Sequence, residues 1–271
     1  MEQNQLPRLQ QHLYGMMQEI HEALTSHHIR YYLISGSLLG AVRHGGFIPW
    51  DDDMDIAIPR ADYGRLIKES EQILPERLEF VCGEKNPDYP LQFGKIQDIR
   101  TTVIEKAFRH DLGGIYIDVF PLDGVPAGKV ARWWHLFRFR FLAKQLYLVH
   151  RDPYKHGHGI RSWIPLLLQK TVSKAKAHRI MRKLLVSNDF ETATLVSPHR
   201  HHTTQVFPKR ILGTPTPIRF NDSEFLSVEH PHDYLSLYYG DYMKEPAPEK
   251  RRQHNFHLLD FDHGYRDSVD S

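Results

Sequence analysis

Apolar positions in the first part of the chain change from helical to strand spacing. Residues Leu9–His27 carry apolar side chains three or four positions apart: Leu13, Met17, Ile20 and Leu24. This period predicts an amphipathic helix with one side facing a core. Residues Tyr31–Ser35 then form a short aromatic and β-branched run that stops at Gly36-Ser37, which predicts a buried strand followed by a turn.

The alternation of helix and strand patterns continues to Pro126. Helices are predicted at Leu38–His44 and Tyr63–Leu74. Strands are predicted from Ile48-Pro49-Trp50 to about Ile58, and at Leu78–Cys82, Leu91–Asp98, Thr102–Lys106 and Gly114–Phe120. We therefore expect the first half of the chain to build the sheet.

Beyond Pro126 the pattern becomes helical and basic up to about Val186. The later elements predicted are a loop with short strands at Pro198–Pro217, a strand at Phe225–Val228, a helix at His232–Tyr239 and a frayed acidic tail at Asp260–Ser271. These changes divide the chain into a catalytic core at 1–126, a helical basic insertion or cap at 127–200, and a C-terminal segment at 201–271 that packs back on the core.

Composition indicates the class of protein. With 271 residues, 41% hydrophobic and 25% charged, the chain resembles an ordinary globular enzyme. The single Cys82 excludes an intrachain disulfide. No secretory signal pattern is visible from Met1 to Arg8, and no run approaches the roughly 20 apolar residues that a spanning helix needs. We therefore expect a cytoplasmic protein.

Charge is divided unevenly along the chain. The net charge is +2, but residues 129–183 hold 14 lysines and arginines against one acid, Asp152. Residues 132–141 interleave aromatic and basic side chains (RWWHLFRFRF), which is typical of helices in a membrane interface. A helix packed on the sheet with its arginines in water fits equally well, so peripheral contact with the inner face of a membrane stays open. We expect no nucleic-acid partner, because no recognised binding motif accompanies these residues.

Four carboxylates in five residues mark the candidate chemistry. Residues 50–58 read WDDDMDIAI, and strand alternation would place Asp51, Asp53 and Asp55 on one face. Carboxylates packed so closely repel one another unless a cation neutralises them, and hard oxygen ligands select Mg²⁺ or Mn²⁺. An exposed acidic turn is the alternative, but the run leads directly into an apolar strand. We therefore predict a metal site.

Two further features complete this site. The Gly36-Ser37 turn precedes a predicted helix, and backbone N–H groups at a helix N-terminus receive phosphate. Asp118 stands alone among apolar neighbours in a predicted strand, where an unpaired charge is costly to bury. We favour a third metal ligand or a base over a structural salt bridge. The histidines His199, His201 and His202 lack cysteine partners and i,i+4 spacing, so we expect surface histidines and no zinc.

These segments resemble the LicD family of cholinephosphotransferases, which includes the fukutin-related proteins. The resemblance is carried by residues 35–44 (SGSLLGAVRH), 46–55 (GFIPWDDDMD), 117–123 (IDVFPLD) and 239–243 (YGDYM) with Pro246. It implies an α+β fold of the nucleotidyltransferase type, a mixed β-sheet flanked by helices, here with a helical basic insertion. Asp53, Asp55 and Asp118 would be catalytic.

The resemblance also implies the ligands. Asp53 and Asp55 would bind Mg²⁺, with Asp51 in support and Asp118 as the third carboxylate. Gly36 and Ser37 would hold the donor phosphate; the further candidates for this role are Arg43, Lys95 and Arg100. Helix-surface exposure is nearly as good an interpretation of Arg43.

The function expected is Mg²⁺-dependent transfer of phosphocholine from CDP-choline to a sugar hydroxyl of a bacterial cell-surface glycan, free or lipid-linked, with release of CMP. Two alternatives stay open. The donor could be a CDP-alditol, because the sequence does not separate a quaternary ammonium from a polyol. The chain could also be a non-catalytic protein that binds a membrane surface, although three retained carboxylates argue against it.

Overall fold

The computed structural model describes residues 5–105, 112–155, 157–200, 205–251, 253–254 and 256–267. Its α-helices are α1 Gln5–Ser26, α2 Ser35–His44, α3 Arg60–Ile73, α4 Lys129–His150, α5 Trp163–Thr171, α6 Lys174–Leu185 and α7 Pro231–Tyr239. Its strands are β1 Tyr32–Leu33, β2 Asp55–Pro59, β3 Leu78–Val81, β4 Gly94–Asp98, β5 Thr102–Ile104, β6 Leu112–Gly113, β7 Tyr116–Val125, β8 Leu195–Ser197, β9 Phe207–Pro208, β10 Thr216–Phe220, β11 Ser223–Ser227 and β12 Leu258–Asp260.

The main sheet is mixed and draws on both ends of the chain. Within the described residues it has nine strands, seven of them in the order β10-β11-β1-β2-β7-β4-β3, with β8 on β7 and β9 on β8. Strand β2 runs parallel to β7, and β1 runs parallel to β11. Strands β12, β5 and β6 form a smaller sheet. The predicted α+β class with a mixed sheet flanked by helices is confirmed.

Central strands β2 and β7 are buried because helices pack against them. Helix α1 contacts β7 and β11, and α3 contacts β2, β3 and β7. The predicted core side of α1 is confirmed, since Leu13, Met17, Ile20 and Leu24 are all buried. Each Å² of apolar surface that this layer buries stabilises the fold by about 25 cal/mol, and this burial helps to hold β2 against β7.

Helices α4, α5 and α6 span the basic segment and are called the basic helices below. Two of them form a second, smaller hydrophobic cluster. Phe139 and Ala143 of α4 pack against Met181, Leu184 and Leu185 of α6. One face of α4 is therefore buried, against α6 and not against the sheet as one of the two open interpretations required. Its opposite face is exposed. No helix in the described parts of the chain combines the length and the apolar character needed to cross a membrane.

Three predictions about the backbone are wrong. Helix α2 begins at Ser35, so Gly36 and Ser37 lie in its first turn and do not form a turn before a helix at Leu38. Strand β2 begins only at Asp55, because the Asp51 N–H bonds the Ile48 carbonyl in a turn, 2.9 Å, and residues 51–54 do not pair as a strand. Strand alternation therefore does not orient Asp51 and Asp53. The acidic tail is not frayed as far as Asp267, since β12 pairs with β5 and Tyr265 N–H donates to the Thr101 carbonyl, 3.0 Å. Residue 106, at the end of the predicted strand Thr102–Lys106, and residues 268–271 of the predicted tail lie outside the described residues.

Candidate active site

The turn from β1 into α2 presents uncapped backbone amides. Ser35 has φ 53°, in the left-handed region, and this turns the chain sharply into the helix. The residue before it, Ile34, offers no side-chain cap. The Ser37 hydroxyl instead accepts the Asp55 N–H, 2.8 Å, and so ties the helix start to β2. An uncapped helix start beside buried acids is suited to bind phosphate.

Asp55 and Asp118 lie side by side on the parallel strands β2 and β7. They are register partners, each near the start of its strand. Among the described residues, the Oδ1 atoms of both are buried and have no hydrogen-bond partner. Two buried carboxylate oxygens without a donor are unfavourable unless a cation binds them. The predicted adjacency of Asp118 to the acidic run is present in the structure.

Asp51 and Asp53 lie in the turn before β2. A Cβ at Gly36 would stand 2.7 Å from Asp51 Oδ2, so glycine permits this carboxylate to approach the start of α2. Burial raises the pKa of Asp51 and of Asp53, and repulsion among the neighbouring carboxylates raises both further. Burial likewise raises the pKa of Asp118, with Asp55 and Asp53 adding to the effect.

Asp52 has a different role from its neighbours. It is buried and accepts the backbone N–H of His254, 2.7 Å, and its Oδ1 lies 3.0 Å from His254 Nδ1. This contact raises the pKa of His254 to about 9, so the ring is a cation at neutral pH. One carboxylate oxygen each of Asp52 and Asp53 and one ring nitrogen of His254 lie within 4.8 Å of one another. The C-terminal segment therefore covers the acidic turn.

Arg200 supplies a positive charge to this cluster. Its Nη1 donates to Asp55 Oδ2, 2.9 Å, and to the Ser35 hydroxyl, 2.6 Å. Its guanidinium lies 4.6 Å from the centroid of the Phe120 ring. Burial opposes the charge of Arg200, but Asp55, Tyr238 and Asp118 together raise its pKa above the ordinary value. One guanidinium thus joins the helix start to the carboxylate of β2.

Lys95 faces the same region from β4. It is the register partner of Asp118, and its Nζ bonds Glu105 and stands 3.3 Å from the centroid of the Tyr116 ring. Glu105 also accepts the Tyr116 hydroxyl, 2.5 Å. Lys95 and Tyr116 lower the pKa of Glu105 to about 2 in spite of its burial. These three side chains line a cavity of about 300 Å³ together with Tyr89 and Gln97.

Two of the predicted phosphate ligands lie elsewhere. Arg43, near the end of α2, donates to the Tyr242 carbonyl, 2.7 Å, and to His44. Arg100 follows β4 and bonds Asp98, which also pairs with Arg77. Within the described residues, neither arginine forms a hydrogen bond or an ion pair with Asp55 or Asp118. Gly36, Ser37 and Lys95 are the predicted phosphate ligands that the structure brings to the cluster.

The prediction of surface histidines is wrong for His199. It is 1% exposed and packs against the Phe139 ring at a tilt, with its Nε2 3.0 Å from His135 Nε2 and its Nδ1 3.5 Å from Asp123 Oδ2. This pairing with β7 and α4 requires tertiary contacts that spacing in the chain does not reveal. His201 and His202 lie outside the described residues.

The residues present fit a divalent oxygen-seeking cation. Asp55 and Asp118 each offer a buried carboxylate oxygen without a donor. Among the described residues, the group of possible metal-binding side chains whose atoms lie within 4.8 Å of one another is Asp52, Asp53 and His254, so the predicted set Asp53, Asp55 and Asp118 is not drawn together to that distance. A site built of such oxygens is the kind that Mg²⁺ or Mn²⁺ occupies. Identification of Mg²⁺ remains a prediction.

Sequence reasoning missed Arg200, His254 and Glu105. Arg200 is separated from Asp55 by 145 positions and His254 from Asp52 by 202 positions. Isolated basic residues in a chain with 35 lysines and arginines carry no local signal. Glu105 directly follows β5 and becomes conspicuous only when the fold places it beside Lys95.

Paired acids on two parallel central strands of a mixed sheet, beside an uncapped helix start, agree with the nucleotidyltransferase type of fold that the sequence motifs imply. Residues 28–125 match the family described as LicD/FKTN/FKRP, nucleotidyltransferase domain. The resemblance to the LicD family seen in the motifs is thus confirmed over these residues.

Several known proteins are similar in sequence to this chain. The lipopolysaccharide cholinephosphotransferase LicD of Haemophilus influenzae is 25% identical over 247 residues, which cover 89% of this chain and 92% of that protein. The ribitol 5-phosphate transferase FKRP of Homo sapiens is 58% identical over 36 residues, 13% of this chain and 7% of that protein. An uncharacterized protein of Rickettsia prowazekii, RP689, is 52% identical over 64 residues, 24% of this chain and 23% of that protein.

Proposed function

We propose that this protein transfers phosphocholine from CDP-choline to a sugar hydroxyl of a cell-surface glycan and releases CMP. Two relatives support the general class of phosphotransferase. The relative matched over most of its length is named a cholinephosphotransferase, and a second relative is named a ribitol 5-phosphate transferase. The predicted enzyme class, a phosphotransferase for substituted phosphate groups, is confirmed by these relatives. Donor, acceptor and metal are our proposals.

One observation carries the proposal. Asp55 and Asp118 stand in register on parallel strands, each with a buried oxygen that lacks a partner among the described residues, beside the uncapped start of α2. Carboxylates next to a phosphate-binding helix start are what a phosphoryl-transfer enzyme needs to hold a divalent cation and a diphosphate together.

The chain's own residues divide the work as follows. Amides at the start of α2 bind the donor diphosphate, and Lys95 and Arg200 neutralise its oxygens after exchanging their carboxylate partners for phosphate. Asp53, Asp55 and Asp118 would hold Mg²⁺, which when bound offsets the charge that develops on the diphosphate. Asp118 accepts the proton of the acceptor hydroxyl, a role for which its buried oxygen without a hydrogen-bond partner is free.

The overall step is a displacement at the distal phosphorus. The acceptor oxygen forms a new bond to that phosphorus while the bond to the bridging oxygen of CMP breaks. The proton of the hydroxyl passes to Asp118, and CMP leaves with the bridging oxygen. The products are a phosphodiester on the glycan and CMP, so the atoms and charges balance without a further reactant.

Choline is favoured over an alditol by the cavity beside Asp118. Tyr89 and Tyr116 line it with Glu105 and Glu79, which gives aromatic and anionic groups suited to a quaternary ammonium. Lys95 already places a cation against the Tyr116 ring. A CDP-alditol remains the second candidate, because one relative is named a ribitol 5-phosphate transferase.

The test is CMP release by purified protein with Mg²⁺ and candidate glycan acceptors, using CDP-choline, CDP-ribitol and CDP-glycerol in parallel. We expect release from CDP-choline alone. Asp55→Asn and Asp118→Asn should each lower turnover by at least about 10³-fold, since both remove a group needed in the transition state. Asp189→Asn, at an exposed aspartate far along the chain, serves as the matched control and should retain full turnover.

Each outcome decides between the candidates. Release from an alditol donor alone would keep the class and overturn the choline assignment. Full activity in Asp55→Asn or Asp118→Asn would overturn the site. No release from any of the three donors would contradict the proposed reaction.

A further inference from the structure

An apolar surface on the basic helices faces solvent. Trp134, Phe137 and Phe141 of α4 are 52%, 50% and 64% exposed. We call the following residues the apolar surface: Val130, Trp133, Trp134, Phe137 and Phe141 on α4, and Ile160, Trp163, Ile164 and Leu167 on and before α5. Single exposed apolar residues are ordinary, but a contiguous set of large ones indicates a binding surface.

Helical geometry places the α4 residues of this surface on one side. Val130, Trp134, Phe137 and Phe141 follow one another at spacings of four, three and four, which aligns them along one face of a helix. The opposite face carries His135, Phe139, Ala143 and Leu146, which are buried. Helix α4 is thus apolar on two faces, and packing against α6 accounts for only one of them.

Aromatic side chains on the exposed face form a cluster. Trp133 stacks on Phe137 with ring centroids 5.6 Å apart, and Trp134 meets Phe137 edge-on at 5.7 Å. Helix α5 adds Trp163, Ile164 and Leu167, and it packs beside α4. Of the four tryptophans in the chain, three belong to this surface. Tryptophan is favoured at the boundary between acyl chains and water.

Cationic side chains border the apolar surface. Arg138 and Lys144 are exposed on α4, and Lys170 is exposed on α5. Residues 129–183 as a whole hold 14 lysines and arginines and one acid. An aqueous protein partner with a merely apolar face would not require this charge, whereas an anionic lipid surface complements both the charge and the apolar side chains.

We infer that the apolar surface docks the protein on an anionic lipid bilayer. Helices α4 and α5 lie in the interface, their aromatic side chains enter the headgroup boundary and the bordering lysines and arginines contact lipid phosphates. The basic helices also touch the loop that lines the cavity beside Asp118: His178 Nε2 lies 2.8 Å from the Tyr89 carbonyl and Lys174 pairs with Asp88 at 2.7 Å. Docking thereby holds the cavity loop near the membrane. The inference is independent of the proposed reaction.

Vesicle binding tests this inference directly. The full chain is mixed with vesicles of phosphatidylcholine alone, or with 30 mol% phosphatidylglycerol, a composition chosen to give about −30 to −50 mV at the surface. We expect co-sedimentation with the anionic vesicles and a blue shift of tryptophan fluorescence. Binding to the anionic vesicles should be at least about tenfold tighter than to neutral ones and should weaken as salt is added.

A matched pair of variants locates the contact. Phe137→Ser/Phe141→Ser removes two side chains of the apolar surface and keeps all four tryptophans, so fluorescence remains usable. Leu237→Ser/Met243→Ser removes two apolar side chains that are equally exposed, 59% and 58%, outside this surface. The first variant should lose at least about tenfold in vesicle affinity, and the second should stay within about twofold of the unchanged protein. Arg138→Glu/Lys144→Glu should lose the preference for anionic lipid.

Controls distinguish loss of membrane binding from misfolding of a variant and from failure of the proposed reaction. Thermal unfolding of each variant identifies misfolding, and the Arg138→Glu/Lys144→Glu variant, whose side chains are exposed, keeps the test valid if the serine variant unfolds. Absence of binding to anionic vesicles, or equal loss in both serine variants, would overturn the inference. So would self-association that Phe137→Ser/Phe141→Ser abolishes, because the surface would then bind a second copy. Vesicle binding is read without any donor, so it does not depend on CMP release.

Discussion

At the scale of single residues, Arg200 takes the position of a counter-cation to Asp55. Its Nη1 bridges Asp55 and Ser35, so it connects the helix start with the carboxylate of β2. A guanidinium held there is positioned to contact a diphosphate oxygen, because it already stands beside the amides of α2. This places a phosphate-binding arginine where neither Arg43 nor Arg100 lies.

Replacing Arg200 tests that role. Arg200→Gln should lower kcat by about 10²–10³-fold, which is the typical effect of removing one donor to a developing charge. Arg200→Lys should recover part of kcat, because it keeps the charge and loses the fork of donors. Steady-state kinetics with CMP as the measured product gives both values. An unchanged kcat with an altered melting temperature would show that Arg200 only stabilises the fold.

The sequence identified the acids but not the groups around them. Asp55 and Asp118 were recognisable because each is a charge inside an apolar strand, and burial makes such charges conspicuous. The orientation of Asp51, Asp52 and Asp53 was not predictable, since residues 51–54 form a turn whose geometry depends on Ile48 and His254. Arg200 and His254 reach the site through the tertiary fold alone.

At the scale of elements, the end of α2 depends on a close approach between glycines. A Cβ at Gly40 would stand 2.4 Å from the Gly46 carbonyl oxygen, and Gly45 closes the helix with φ 68°. This approach returns the chain from α2 towards the acidic turn. The family-like motif SGSLLG therefore contains a structural glycine in addition to the glycine beside Asp51.

Gly40→Ala should destabilise the protein by about 1–3 kcal/mol, because the added carbon overlaps backbone that cannot move freely. Gly15→Ala is the matched control: a Cβ there meets nothing within 4 Å, and alanine in the middle of α1 should stabilise by about 0.5–1 kcal/mol. Urea unfolding of both variants measures the two free energies. Equal effects of the same sign would contradict the proposed role of Gly40.

The contact between α4 and the loop after β8 should weaken in acid. Burial lowers the pKa of His135 to about 4, repulsion by His199 and Arg138 adds to this, and Asp123 opposes it. Between pH 6.5 and pH 4 the unfolded chain binds a proton that the folded His135 does not, so stability falls as pH falls through this window.

The expected loss from His135 is about 1 kcal/mol of unfolding free energy between pH 7 and pH 5.5. Urea unfolding at the two pH values measures the total change, and His135→Gln, which cannot be protonated, isolates this part of it. The variant should lose about 1 kcal/mol less than the unchanged protein. An identical pH dependence would rule out His135 as a contributor.

Helices and strands could be predicted from patterns along the chain, but the pairing of the strands could not. The predicted positions of α1, α3, β3 and α7 agree with the structure to within a few residues, because each has a clear period or a clear boundary. Strand β7 extends to Val125, five residues beyond its predicted end, because Pro121 lies where β2 and β8 still support the strand. Which strands would be neighbours could not be deduced, since β1 pairs with the distant β11.

At the scale of the whole molecule, repulsion among the clustered carboxylates opposes folding. Several carboxylates converge from β2, β7 and the turn between 51 and 54, and their mutual repulsion opposes the fold. A ligand that binds only the folded state stabilises it by mass action. Binding of a divalent cation should therefore be visible as a change in global stability.

Mg²⁺ at saturating concentration should raise the melting temperature by several degrees, as expected for about 2–3 kcal/mol of binding free energy in a chain of this size. Asp53→Asn should melt higher than the unchanged protein without metal, since one repulsive charge is gone, and should lose the response to Mg²⁺. Differential scanning calorimetry at constant ionic strength, balanced with sodium chloride, makes the comparison. A similar rise in both proteins would place the cation elsewhere.

The pairing of β1 with β11 also governs when the protein can become active during its synthesis. The ribosome delivers Ser35, Asp55 and Asp118 early, yet β1 gains its outer neighbour only when residues 223–227 emerge, and Asp52 gains His254 later still. A nascent or prematurely terminated chain therefore exposes the acids without their completed surroundings. Completion of the catalytic unit is thus coupled to completion of translation, and a shortened product would be open to proteolysis before it could act on a donor.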